Sequence, residues 1–153
     1  MMLPQFYKFI AVNNTGQTIT YDNNGRLNLK ITGMAWTPST GKVAYTQFTD
    51  DDFGFGAGDS TADAAEDLST QYNNTGDLYF GLQVQLEVTH DEGTAADGTY
   101  DLYIAGGDAT GELPTDATGY DSAEKNNLEL IGTLTWHADG ADDEVMRSPV
   151  WEI

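Results

Sequence analysis

The chain contains no cysteine, which excludes disulfides, thiolate catalysis and thiolate zinc sites. Positive charge is scarce: six Lys and Arg against 25 Asp and Glu give a net charge of −19. Binding to nucleic acid and docking on anionic membranes both need cations, so neither partner is expected. No run of about 18 apolar residues occurs, so no membrane-spanning helix is expected. The opening Met1-Met2-Leu3-Pro4-Gln5 lacks the basic and apolar regions of a signal peptide. Helical periodicity is also scarce. The one short candidate is Thr61 to Leu68, a turn or two capped by Thr61 or Asp59, and so short a helix is marginal alone.

The 153 residues suit one domain, 1–153, large enough to bury a core. Its charge is segregated. Between Lys42 and Lys125 there are 18 acids and no base in 82 residues, while the two flanks together hold 7 acids and 6 bases. Such a zone can serve as a solvated face, keep copies apart, hold a cation or meet a basic partner.

Alternation of apolar residues is the strongest local signal. Leu78, Phe80, Leu82, Val84, Leu86 and Val88 occupy every second position, which predicts a long strand with one buried and one wet face. Leu27, Leu29 and Ile31 follow the same rule, as do Tyr100, Leu102 and Ile104. Leu128, Leu130, Leu134 and Trp136 share a parity, with Gly132 between them. Shorter candidates are Phe6 to Val12, Gln17 to Tyr21, Lys42 to Thr49 and Ser148 to Ile153. Asn14-Thr15-Gly16, Asn23-Asn24-Gly25, Pro38 to Gly41 and Asp97-Gly98 supply turn chemistry between them. The triplets Asn13-Asn14-Thr15 and Asn73-Asn74-Thr75 read as turns. The expected fold class is all-β: an antiparallel β-sandwich or jelly-roll-like domain of about 7–8 strands. Two connections look long, Asp50 to Asp77 and Gly106 to Asn127, and loops of that length are often functional.

Chemistry-bearing constellations are weak. His90 and His137 end strands, with no third zinc ligand indicated. No G-x-S-x-G elbow is present. The runs Phe53 to Gly58 and Ala105 to Asp108 match no phosphate-binding loop and read as flexible or tightly turned backbone. Asp50-Asp51-Asp52 and Asp139 to Glu144 crowd oxygen ligands without the required spacing of a calcium loop. Trp36, Trp136 and Trp151 could form a sugar-stacking platform. Parity places Trp136 in the core and Trp36 on the wetter face, and Trp151 could anchor the terminal strand or insert into a neighbour. No catalytic, cofactor-binding or metal residue is therefore assigned, no cofactor is expected, and the chain is read as a non-enzyme.

Three segments of the second half form a recognisable series: Gly98-Thr99-Tyr100-Asp101-Leu102-Tyr103-Ile104, then Asn127-Leu128-Glu129-Leu130-Ile131-Gly132-Thr133-Leu134, then Met146 to Ile153. Over residues 80–153 the chain resembles small β-sandwich virion proteins of tailed bacteriophages. The resemblance implies a virion structural role, most simply capsid decoration, with a neck or tail component as an alternative; the aromatic residues keep a carbohydrate-binding or adhesive module as a further alternative. It implies as partners other copies of the chain, the major capsid protein or neighbouring virion proteins. The terminal strands Phe6 to Val12 and Ser148 to Ile153 are the edges expected to make such contacts.

Overall fold

The structure, a computed structural model, describes residues 3–21, 27–48, 53, 60–76, 78–90, 96–107, 128–138 and 144–153; residues 90, 96, 136–138 and 144 are described through the backbone alone. Among the described residues every regular element is a strand, and all pairings are antiparallel. The expected β-sandwich is present.

The first sheet runs β10 (Leu128–Ala138), β9 (Ala96–Gly107), β1 (Phe6–Asn14), β6 (Glu66–Leu68), with β7 (Tyr72–Asn73) also paired to β1. The second runs β11 (Glu144–Arg147), β8 (Gly81–His90), β3 (Leu27–Thr37), β4 (Lys42–Gln47), with β12 (Trp151–Glu152) also paired to β8. A small ladder joins β2 (Ile19–Thr20) to β5 (Ser60–Thr61). The alternating residues meet between the sheets. Tyr7, Phe9, Tyr100, Leu102 and Ile104 come from the first, and Leu27, Leu29, Ile31, Leu82, Val84, Leu86 and Val88 from the second; all are buried. Apolar area leaving water is what holds the two sheets together. One end is closed by stacked rings, Tyr7 on Tyr72 at 5.2 Å and Phe48 on Tyr72 at 5.9 Å, with Phe48 tilted against Tyr79 at 5.3 Å.

Two parity expectations fail, each for an identifiable reason. On β10 the register shifts between Leu130 and Gly132. The extra residue flips the strand's faces, so Leu134 is buried whereas Leu130 is 52% exposed. Gly132 is where the terminal strand leans in: a Cβ there would lie 2.3 Å from Trp151 Cε2. Trp151 therefore anchors its own strand, spanning from the second sheet to the first, while the Trp136 side chain lies outside the described residues. Before β8, Tyr79 turns inward and Leu78 and Phe80 face out. Asn74 holds Tyr79 by both backbone groups: its Nδ2 donates to the Tyr79 carbonyl (2.9 Å), and the Tyr79 N–H donates to its Oδ1 (2.7 Å). The Tyr79 ring fills space that a Cβ at Gly33 would claim, 2.6 Å away.

Other expectations are corrected. Thr61 to Leu68 is not helical; it contains β5 and β6, whose backbone bonds go to β2 and β1. The stretch from Asp50 to Asp77 is thus no open loop where described, since it also supplies β7. Residues 108–127, nearly all of the second long connection, lie outside the described residues, as do Asn23 to Gly25 and Gly54 to Asp59. Asp97-Gly98 and Ala105-Gly106-Gly107 are not turns but parts of β9. Gly98 lets Thr15 approach: an added Cβ would sit 2.4 Å from its Cα. Both Asn-x-Thr triplets do turn, and in the same way, with Thr15 and Thr75 each donating N–H and Oγ1–H to the Oδ1 of Asn13 and Asn73.

Candidate functional site

The expected contact edges are only partly where the sequence placed them. β1 lies inside its sheet, flanked by β9 on one side and by β6 and β7 on the other, so Phe6 to Val12 offers no free edge. The terminal segment does lie at an edge, but it is committed to its own fold. Ile153 exchanges backbone bonds with Leu82 (2.9 and 3.0 Å), and buried Ser148 bonds Leu86 through both its N–H and its Oγ. Arg147 pairs with Glu87, which Lys30 also contacts at 2.9 Å. Burial pushes the Glu87 carboxyl up, but the two cations outweigh it and hold it below its ordinary range.

Among the described residues β4 ends the second sheet with no strand on its far side, as β10 ends the first. The six residues of β4 are all exposed, so the hairpin overhangs the core with both faces wet. It forms because Leu27 to Thr37 continues past the core as an extended run, and the turn Pro38 to Gly41 then folds the chain back. Gly41 takes φ +62°, and its N–H and that of Thr40 both donate to the Thr37 carbonyl. Pairing is regular from Thr37↔Lys42 to Thr32↔Gln47. On the outer face Trp36 opposes Val43 and Met34 opposes Tyr45. Trp36 is 57% exposed and Tyr45 62%.

Next to this hairpin stands a second apolar display. The Phe80 N–H donates to the Met34 carbonyl (2.9 Å), joining the Leu78–Phe80 bend to β3. Leu78 is 71% exposed and adopts φ +52°, a left-handed conformation that costs a bulky L-residue roughly 1–2 kcal/mol. A hollow of about 400 Å³ lies beside it, lined by Leu3, Asn74, Leu78 and Phe80 among others. Trp36, Val43, Tyr45, Leu78 and Phe80 make up five of the eight large exposed apolar side chains among the described residues, so exposed apolar surface is concentrated at this end of the second sheet.

Acid is scarce in the part of the chain that contains the hairpin. The first 49 residues hold four of the six cations and one acid, Asp22. β3, β4 and their turn hold Lys30 and Lys42 and no acid.

Acid elsewhere is not simply turned outward. Asp67 is half-buried and accepts from Thr61 Oγ1 at 2.5 Å. With that proton committed, Tyr21 donates to Thr61 (2.7 Å) and Tyr100 donates to Tyr21 (3.3 Å), one directed chain ending on the carboxylate. Burial pushes the Asp67 carboxyl up to about 6, only partly offset by the Thr61 bond. Burial, with Asp67 nearby, also pushes the Tyr21 phenol well up. This chain ties Tyr21, the residue after β2, to β5, β6 and β9.

The other sequence candidates are not brought together. His90 and His137 sit at the ends of β8 and β10 in different sheets, with side chains outside the described residues. Asp50 to Asp52 and Asp139 to Asp143 also lie outside them. Among the described residues no group of three or more His, Asp or Glu is placed to hold a metal. A groove of about 290 Å³ on the first sheet is lined by Ile10, Val12, Asn14, Glu66, Tyr103 and Leu128.

No protein-family model matches the chain, and no curated protein or solved structure matches it at a significant level. The hairpin edge was missed in the sequence because Lys42 to Gln47 reads as an ordinary strand. The signal available was its uninterrupted freedom from acid in a chain of −19.

Proposed function

We propose that this chain is a non-catalytic structural subunit of a tailed-bacteriophage particle, a capsid decoration protein that works by protein–protein contact. The observation that carries the reading is the β4 edge: a six-residue strand exposed on both faces, carrying outward Val43 and Tyr45 beside Trp36 of β3. Proteins that stay apart protect such edges with charge, proline or bulges. Here the central residues carry none of these. Charge segregation supports the same reading, since the acids of the zone begin only at Asp50, past the hairpin, which stays free of acid. Of the segments that resemble phage virion proteins, residues 98–104 on β9 and the described residues 128–134 on β10 lie side by side. The test is quantitative detection in purified particles. A decoration protein is expected at a copy number comparable to the major capsid protein; about twelve, six or three copies would indicate the neck or tail, and absence from every particle would overturn the reading.

A carbohydrate-binding reading is favoured by one observation, the outward aromatic pair Trp36 and Tyr45 on a single face. It predicts sugar-dependent quenching of Trp fluorescence that Trp36→Ala abolishes, and no quenching across a glycan panel rules it out.

A further inference from the structure

We propose that the β4 edge is a two-fold symmetric interface between two copies of this chain, centred on Tyr45 and joining two second sheets into one continuous sheet. The inference rests on the reading of the hairpin as a contact surface and names its partner.

Hydrogen-bond alternation defines what the edge offers. Phe48 donates its N–H to the Ile31 carbonyl (2.8 Å), while Met34 accepts from Phe80 on the opposite side. Odd-numbered β3 residues therefore bond toward β4, and even-numbered ones toward β8. Through the same alternation Lys42, Ala44 and Thr46 bond toward β3. Val43, Tyr45 and Gln47 turn N–H and C=O to the open side. A row of three donors and three acceptors at alternate positions is its own complement under a two-fold axis. With the axis at Tyr45, Tyr45 faces Tyr45 of the second copy and Val43 faces its Gln47, engaging all six groups.

Side chains fit the same partner, and the hairpin adds little charge against it. Val43, Tyr45 and Gln47 share the outer face with Trp36 and Met34, so pairing would set the two Tyr45 rings side by side, flanked by the Trp36–Val43 pairs. Any contact between copies sets −19 against −19, and the hairpin brings no acid to it. The one charge on the strand, Lys42, lies at its start. In this register the two Lys42 residues stand about 20 Å apart along the paired strands, at roughly 3.4 Å per residue. They are thus beyond strong repulsion at physiological salt.

The absence of native cysteine makes the test clean. Single variants Val43→Cys, Tyr45→Cys and Gln47→Cys are oxidised under mild conditions. Tyr45→Cys alone is expected to form a disulfide dimer, because only that position faces itself across the axis at a bridgeable Cα separation. A mixture of Val43→Cys and Gln47→Cys is expected to form the mixed dimer. Wild type should sediment at twice the monomer mass, and Tyr45→Asp should weaken the dimer about 100-fold or more by opposing like charges. Circular dichroism should leave that variant's fold unchanged, because the side chain is exposed. Equal cross-linking at all three positions, or a wild-type monomer at tens of micromolar, overturns the proposal. If the wild type is monomeric but Tyr45→Asp still removes the chain from particles, self-pairing falls and the contact reading stands with another partner. If Tyr45→Asp leaves particle binding intact as well, both fall.

Discussion

Replacing Asp67 with Asn should make the protein more stable at neutral pH, against the usual cost of altering a hydrogen-bonded side chain. Folding moves Asp67 from an ordinary 3.8 to about 6, chiefly because burial penalises its charge. Between those values the folded chain binds a proton that the unfolded chain has released. The contribution of this group to stability is therefore complete below about pH 4 and is lost as pH rises through about 6. At pH 8 the folded protein carries the cost of a buried carboxylate. A shift of this size corresponds to about 3 kcal/mol at 1.36 kcal/mol per pKa unit, an upper figure because the group is only half-buried. Asn is neutral at every pH and keeps an oxygen to accept from Thr61, so the Tyr100–Tyr21–Thr61 chain retains its end. Urea unfolding of wild type and Asp67→Asn from pH 4 to pH 8 isolates this residue, since the other carboxylates cancel in the difference. The variant should match wild type near pH 4 and gain up to about 3 kcal/mol by pH 8, a rise in Tm of roughly 6–12 °C for a domain of this size. A pH-independent difference, or a variant that is less stable at pH 8, would refute the account of the buried network.

Two further substitutions probe the places where alternation breaks. Gly132→Ala should cost about 1–3 kcal/mol, because its Cβ would meet the Trp151 ring at 2.3 Å; chemical denaturation should show the loss, and Trp151→Leu in the same chain should recover part of it. Leu78→Gly should stabilise by about 1 kcal/mol, since it relieves φ +52° and removes a side chain that is already 71% exposed. If Leu78 belongs to a contact surface, the same change should weaken particle binding, and a binding assay alongside thermal unfolding separates the two effects.

What the sequence determined by itself is the local alternation and, through it, the class of fold. Leu27 to Ile31, Leu82 to Val88 and Tyr100 to Ile104 bury every second side chain as their spacing required, because the two-residue period of a strand is a property of the backbone alone. Segregated charge and the Asx turns at Asn13 and Asn73 were equally legible, being set by composition and by contacts within a few residues. Tertiary structure decided whatever depended on a distant partner. Leu130 lost its expected place because a bulge reset the register of β10 against β9, with Trp151 of the other sheet leaning on Gly132. Tyr79 replaced Leu78 and Phe80 in the core because Asn74 and Gly33 made a place for its backbone and ring. Thr61 to Leu68 became strand because β1 and β2 had unpaired backbone to offer. The candidate site belongs to this second group. Nothing within Lys42 to Gln47 says which strand is last in a sheet; that follows only from which other strands pair with β3 and β8.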